Sequence, residues 1–251
     1  MTTRTRSCPE RGLAAIASVG LLATACLAQN VQTEFPPGLA PLDAANPAEF
    51  PAAVGADLYP ETLGPFVTQT VGDAETSCGG CRMVLAYAKG YVKRPLADVW
   101  AAGVVPQTSA EEATSVDSCA IVLNVETGYD HSWMMQYRKS ESVVTVEFDV
   151  TWRNGTLPWP TPTTGPASPL QVAWRFQKTN GTAYIKSMAG SVLAYEVAPD
   201  VTGLEFIRHV QATRSPEDVV AGGIQNHYDD ILAYLADPAS PAYTGRICSG
   251  P

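Results

Sequence analysis

Charge is scarce in this sequence, and positive charge most of all. Only 16% of the 251 residues are charged, and 16 Lys and Arg stand against 25 Asp and Glu, for a formal net charge of −9. Nucleic-acid binding draws mainly on Lys and Arg contacts to phosphate, so this balance excludes a nucleic-acid partner as an expectation. An anionic lipid surface would also repel the chain unless it carried an anchor. Histidine is scarcer still, and His131, His209 and His227 are too scattered to read as a metal site. No Ser-His-Asp elbow, phosphate-binding glycine loop or HExxH motif occurs, so no specific case for catalysis, a metal or a cofactor arises. The apolar run at residues 13–23 falls short of the ~20 residues that a transmembrane helix needs.

What that short run does fit is a leader. Arg4, Arg6 and Arg11 precede it and small residues follow it, the layout of a secretory signal over residues 1–25. Two processing readings stay open. "LLATAC" resembles the lipobox of bacterial lipoproteins, in which Cys26 becomes the lipidated first residue, although Ala23 stands where Leu is usual. Ala23-Thr24-Ala25 also suits ordinary signal cleavage. Either way the chain is expected outside the cytoplasm, lipid-anchored to a bacterial envelope or secreted; Leu27 after the cysteine favours the outer membrane in a Gram-negative host.

Proline and glycine are plentiful, 20 of each, and much of the proline lies between the leader and residue 75. Residues 26–75 read as a Pro/Ala-rich tether, or as an extension packed along a domain through Phe50, Tyr59 and Phe66. Once Cys8 and Cys26 are set aside, Cys78, Cys81, Cys119 and Cys248 remain, an even number that suggests two disulfides in an oxidising compartment. "CGGC" (78–81) also admits a redox centre or half a zinc site. Zinc lacks a second close ligand pair, and redox catalysis wants a helix after the motif. The text after Cys81 alternates like a strand. Staples from this pair to the distant cysteines are therefore expected, with Cys248 pinning the tail at 239–251.

A domain is expected over 76–238. "VLAYAKGYVK" (84–93) reads as a strand, "RPLADVWAA" as a short helix with Leu96, Val99 and Trp100 on one face, and "SAEEATS" (109–115) as a second. Strands follow at 131–138, 143–153, 170–178, 182–189, 191–198 and 203–213. Asn154-Gly155 opens a loop, Asn180-Gly181 makes a hairpin, and Gly190 separates two strands. The strand at 143–153 alternates most cleanly, Val144, Val146, Phe148, Val150 and Trp152 against polar neighbours. A final amphipathic helix begins at Ser215-Pro216 and runs for ~20 residues. On it Asp229-Asp230 is expected to face water.

This series resembles the helix-grip fold of the START/Bet v1-like (SRPBCC) superfamily. "GYVKRPLADVWAA" is similar to its opening strand and helix, and "TGLEFIRHVQATRSPEDVVAGGIQNHYDDIL" to its closing ones. The resemblance spans about residues 84–236. It implies an α+β fold, a curved seven-stranded antiparallel sheet with two short helices and a long C-terminal helix, around an apolar cavity that often takes lipids or other hydrophobic molecules. If the cavity exists, Trp133, Tyr137, Phe148, Trp152, Trp174, Phe176, Ile224 and Tyr228 would line it, with His131, Tyr137 and His209 as polar points. The alternative is that these residues fill a solid core. Three functions follow: a binder that sequesters a small hydrophobic ligand, an envelope structural or interaction lipoprotein without a ligand, or a thiol–disulfide oxidoreductase using Cys78 and Cys81.

Overall fold

The computed structural model describes residues 48–109, 116–127, 129–140, 144–157, 171–213, 216–238 and Cys248. The expected leader at 1–25, the lipidation candidate Cys26 and the extension up to residue 47 lie outside these described residues. So do residues 110–115, where the second short helix was expected, and most of the tail at 239–251.

Eight strands form one antiparallel sheet: β1 (Val67–Glu75), β2 (Cys81–Val92), β3 (Ser118–Leu123), β4 (His131–Ser140), β5 (Thr145–Leu157), β6 (Gln171–Gly181), β7 (Ile185–Ala198) and β8 (Val201–Ala212). Their order across the sheet is β1-β2-β8-β7-β6-β5-β4-β3. Helix α1 (Leu96–Gly103) and a 3-10 turn (Pro106–Ser109) follow β2, and helix α2 (Glu217–Ala236) closes the domain. Without β1 the order is that of a helix-grip fold, in which the first and last strands pair at one end of the sheet, under the terminal helix. Strand β8, an interior strand between β2 and β7, is buried along nearly all its length, because α2 covers one face and a second apolar cluster covers the other.

Alternation decides which side chains meet the helix. Strand neighbours point to opposite faces, so Val84, Ala86 and Ala88 of β2, Trp133, Met135 and Tyr137 of β4, and Phe148, Val150 and Trp152 of β5 share a core with Val220, Ile224, Tyr228 and Ile231 of α2. Leu85 and Tyr87 of β2, Leu193 of β7 and Ile207 of β8 point the other way, into a smaller cluster that includes Ala48.

The strand count differs from expectation for three reasons. Gly190 does not divide a strand; 185–198 is one continuous β7, and the glycine is needed because a Cβ would run into the Phe176 ring on β6. Strand β1 lies before the expected domain start, paired with β2 from Val67↔Tyr87 to Glu75↔Cys81. Strand β3 is an edge strand with Cys119 and Ile121 inward but Val122 and Leu123 exposed, so its sequence lacks alternation. Asn154-Gly155 continues β5, pairing with Trp174 and Ala173, and Asn180-Gly181 ends β6 against Asp149 and Phe148. The hairpin turn itself falls at Ala183-Tyr184. At the start of α2 it is Pro216, in extended conformation, that occupies the cap.

The described part of the extension, from residue 48 onward, packs against the domain. Phe50 stacks on Tyr91 at 4.4 Å between centroids, Tyr59 meets the same ring edge-on, and Leu63 bridges to Gly90 of β2. The disulfides also depart from expectation. Cys78 bonds Cys81, with Cα atoms 5.6 Å apart, and Cys119 bonds Cys248 at 4.8 Å. The local pairing is possible because Gly79 and Gly80 both take positive φ (72° and 89°), reversing the chain within two residues. On the chain-entropy model, a link across 129 residues stabilises by about 5 kcal/mol and one across 3 by about 2 kcal/mol. The long link is the main staple; the short one fixes the β1–β2 turn.

Candidate functional site

The residues under α2 form an aromatic wall. Trp133 on β4 and Trp152 on β5 sit opposite each other in register, 6.0 Å apart and nearly parallel. Phe176 on β6 packs 4.8 Å from Trp152, and Tyr137 stacks with Phe148 at 4.9 Å. Trp174 lies under α1, where Gly103 makes room for its indole and Trp100 packs 5.6 Å away. From α2, Tyr228 meets Phe206 of β8 edge-on and donates its hydroxyl to Tyr91 O at 2.6 Å. The eight expected lining residues, Trp133, Tyr137, Phe148, Trp152, Trp174, Phe176, Ile224 and Tyr228, thus all fall in one buried cluster.

The polar residues there are not the ones expected. His131 is exposed at the start of β4, and His209 is buried on the opposite face of the sheet beside Tyr87. Tyr137 does point inward, with its hydroxyl donating to Met135 Sδ at 2.9 Å. It is His227 that enters the core, wedged edge-on between Trp152 (5.5 Å) and Phe206 (5.7 Å). Burial and the nearby Arg208 push its pKa down to about 3, so the ring is neutral at physiological pH. Asp230, expected in water, is fully buried one turn further along α2, and Asp229 takes the outward place.

Arg208 on β8 is a further inward residue, between Phe206 and Val210 in the alternation. Its guanidinium lies over Phe176 at 5.6 Å and under Gly223, where a Cβ would come within 2.6 Å of Cζ. This accounts for a glycine in mid-helix, which costs roughly 1 kcal/mol against Ala. The sequence held a signal for it: Arg208 interrupts an otherwise apolar inward set in β8, and Gly222-Gly223 interrupts an apolar helix face.

Several buried polar atoms in this core have no hydrogen-bond partner among the described residues: the indole Nε1 of Trp133, Trp152 and Trp174, His227 Nε2 and Asn154 Oδ1. Asn154 sits two residues beyond Trp152 on the same face, and its amide nitrogen donates to His131 O at 3.3 Å. An unsatisfied buried group costs roughly 1–3 kcal/mol, so the five in this core set a polar demand that packing against aromatic rings does not meet.

A concavity of about 320 Å³ lies beside the start of α2, between Thr70, Arg82, Val84, Thr213 and Pro216, with Gly80 and Cys81 on its wall. Both sulfurs of the adjoining disulfide belong to buried residues (5% and 3% exposed), unlike the exposed pair that dithiol exchange requires.

No family model and no curated protein matches the sequence. Solved structures do resemble the fold. The Zhui aromatase/cyclase from Streptomyces sp. R1128 aligns at TM-score 0.39 and 10% identity over 65% of this chain and 99% of its own. The human StarD13 (DLC2) lipid transfer and protein localization domain aligns at 0.40 and 11%, over 70% and 90%. The ginseng major latex-like protein 151 from Panax ginseng aligns at 0.36 and 11%, over 61% and 97%. Likeness at this level carries nothing about activity.

Proposed function

We propose that this is an extracytoplasmic helix-grip domain that sequesters a small hydrophobic molecule between its sheet and α2, anchored through Cys26 to the cell envelope or secreted. The observation that carries the binding reading is the set of unpaired polar atoms within an aromatic wall. A core evolved only for packing would replace Trp133, Trp152 and His227 with apolar side chains at little cost, whereas a binding site needs rings for area and a few polar points for orientation. Burial of ligand surface at about 25 cal/mol per Å² supplies the affinity, with no bond made or broken. The two disulfides and the leader-like N-terminus support a location outside the cytoplasm.

Native mass spectrometry of the exported chain, never exposed to reductant, tests the reading. A lipid-sized adduct that disappears on denaturation supports it. A bare mass that persists after incubation with a lipid extract would leave the solid-cored envelope protein in its place. The same spectrum reports whether four thiol hydrogens are missing, as the two links require.

A further inference from the structure

The outer face of the sheet is buried across its middle, although neither helix lies on it. Cross-strand partners share a face, so Arg153, Arg175, Ser191, Ile207 and Tyr87 form one outward row over β5, β6, β7, β8 and β2. All five are buried, from 1% exposed at Ser191 to 7% at Arg153. The next row, Ala189, His209 and Leu85, is buried as well. A bare sheet face would leave such side chains in water. Among the described residues the cover lies at the two ends of the row. Glu126 takes Arg153 at the β5 end, and Tyr129 packs on the outer cluster. At the other end Phe50 lies on Gly203 between Tyr91 and Tyr195, and Ala48 joins Leu193 and Ile207. No described helix or strand crosses Ser191 and His209 between them. The burial is that of a single chain, so the cover belongs to this chain.

The described residues begin on this face, and the direction of the chain there is set. Phe50 sits over the Tyr195–Gly203–Tyr91 row, while Ala48, two residues earlier, reaches the cluster of Tyr87, Leu193 and Ile207 beyond it. The chain before Ala48 is thus aimed at Ser191, Arg175 and His209. We propose that residues 27–47 are a strap laid along the outer face over β5–β8, and not a free tether. Their composition suits that place. Pro36, Pro37, Pro41 and Pro47 hold the chain extended and remove backbone donors, so it covers a face instead of adding a strand to an edge. Val31, Phe35, Leu39 and Leu42 supply apolar side chains to set against Ala189, Leu193 and Ile207. Glu34 and Asp43 are the segment's only charges, and the face they would meet carries the buried guanidiniums of Arg153 and Arg175. Length is no obstacle. Crossing four strands takes about 15 Å, or about five extended residues.

Photo-crosslinking on the full exported, oxidised chain tests this. The photoreactive p-benzoylphenylalanine replaces Phe35 in one sample and Leu42 in another, and the linked residues are mapped by mass spectrometry. Links within one chain to outer-face residues of β5–β8 are expected from both positions. Links to the helix side of the sheet, links only between chains, or no link from either position would overturn the proposal. A second measurement reads the cover itself. A Gly/Ser sequence of equal length in place of residues 30–46 should lower the thermal midpoint by about 4 °C or more, the shift that roughly 1–2 kcal/mol produces in a domain of this size. It should also raise the fluorescence of a dye that reports exposed apolar surface. The same exchange in the long β5–β6 connection, residues 158–169, should leave the dye signal unchanged. An unchanged midpoint and dye signal after the 30–46 exchange, or a dye response to the 158–169 exchange alone, would assign the cover to another part of the chain and remove the strap.

Discussion

The two faces of one sheet carry different kinds of buried polar group. On the outer face several are tied into ion pairs and hydroxyl contacts. Arg153 of β5 makes a two-pronged bond to Glu126, Nε to Oε2 at 2.6 Å and Nη2 to Oε1 at 2.7 Å. Ser132 closes the loop holding that carboxylate by donating to Glu126 O and accepting from Glu126 N. Thr151 meets Thr179 at 3.0 Å, and Glu205 accepts from Tyr195 at 2.6 Å while facing Lys89 at 3.2 Å. Among the described residues, the groups left over along this face of β7 are the hydroxyls of Ser187 and Ser191. On the helix face, residues from the same strands leave three indole N–H groups, an imidazole nitrogen and an amide oxygen unmatched. The outer face thus carries its buried polarity as ion pairs and hydroxyls, and the inner face as ring nitrogens set among aromatic side chains.

The comparison can be broken hardest at Trp152, which touches Trp133, Phe176 and His227. Trp152→Ala should destabilise by about 3–5 kcal/mol, from lost burial and the cavity left behind. Chemical denaturation checks this, and a loss below about 1 kcal/mol would mean the wall is not packed as described. Nearly as large is the response to acid, since each face holds one buried histidine. His209 is pushed down to about 4 by burial, and His227 to about 3 by burial and Arg208. The unfolded chain takes up protons near 6.5 while the folded one does not, so stability is full above that pH and falls as pH drops toward the folded values. Each histidine should withdraw about 2 kcal/mol between pH 6.5 and 5. Denaturation midpoints across that range measure it; a flat profile would place both rings in water.

The outer network gives the next effect in size. Arg153→Met keeps the stem but deletes the fork, leaving Glu126 with a partner missing. A fully buried pair would lose 3–5 kcal/mol. Glu126 is 36% exposed on its side chain, so water recovers part of this, and about 2 kcal/mol is expected. Loss of the same size from Glu126→Gln would confirm that the two act together, whereas additive small losses would mean the fork is decorative.

Much of this was legible in the sequence where one face is apolar and the other polar. The strand around Val146–Trp152, the buried aromatic face and the terminal helix could be read because alternation and helical spacing are local properties. What could not be read depends on contacts between distant segments. Gly190 looks like a breaker until Phe176 is seen lying across it, and Gly223 looks like a flaw until Arg208 is seen beneath it. Strand β3 lacks a pattern because it is an edge, exposed where a central strand would be buried. Asp230 was misplaced because two adjacent helical residues cannot share a face, and the choice of which one turns inward is made by the sheet. The cysteine pairing turned on two glycine φ values, which spacing alone does not contain.

The smallest effect has the opposite sign, and it separates a binding site from a core most sharply. His227→Leu removes an unpaired nitrogen and substitutes a side chain of similar volume, at the loss of edge contacts to Trp152 and Phe206. Relief of the unsatisfied group outweighs those contacts, so the variant should be more stable by about 1 kcal/mol at pH 7.5. The gain should widen as pH falls, because the buried ring that resisted protonation is gone and half of the acid sensitivity goes with it. A core residue optimised for packing would not respond this way; its replacement should destabilise at every pH. A residue retained for ligand recognition should show stability rising while lipid uptake from the extract falls, the trade expected where function holds a polar group against the interest of the fold. Both quantities can be read by denaturation with and without the lipid extract. If stability and affinity fall together, His227 is part of the scaffold, and the open polar groups of the inner face belong to the three indoles and Asn154.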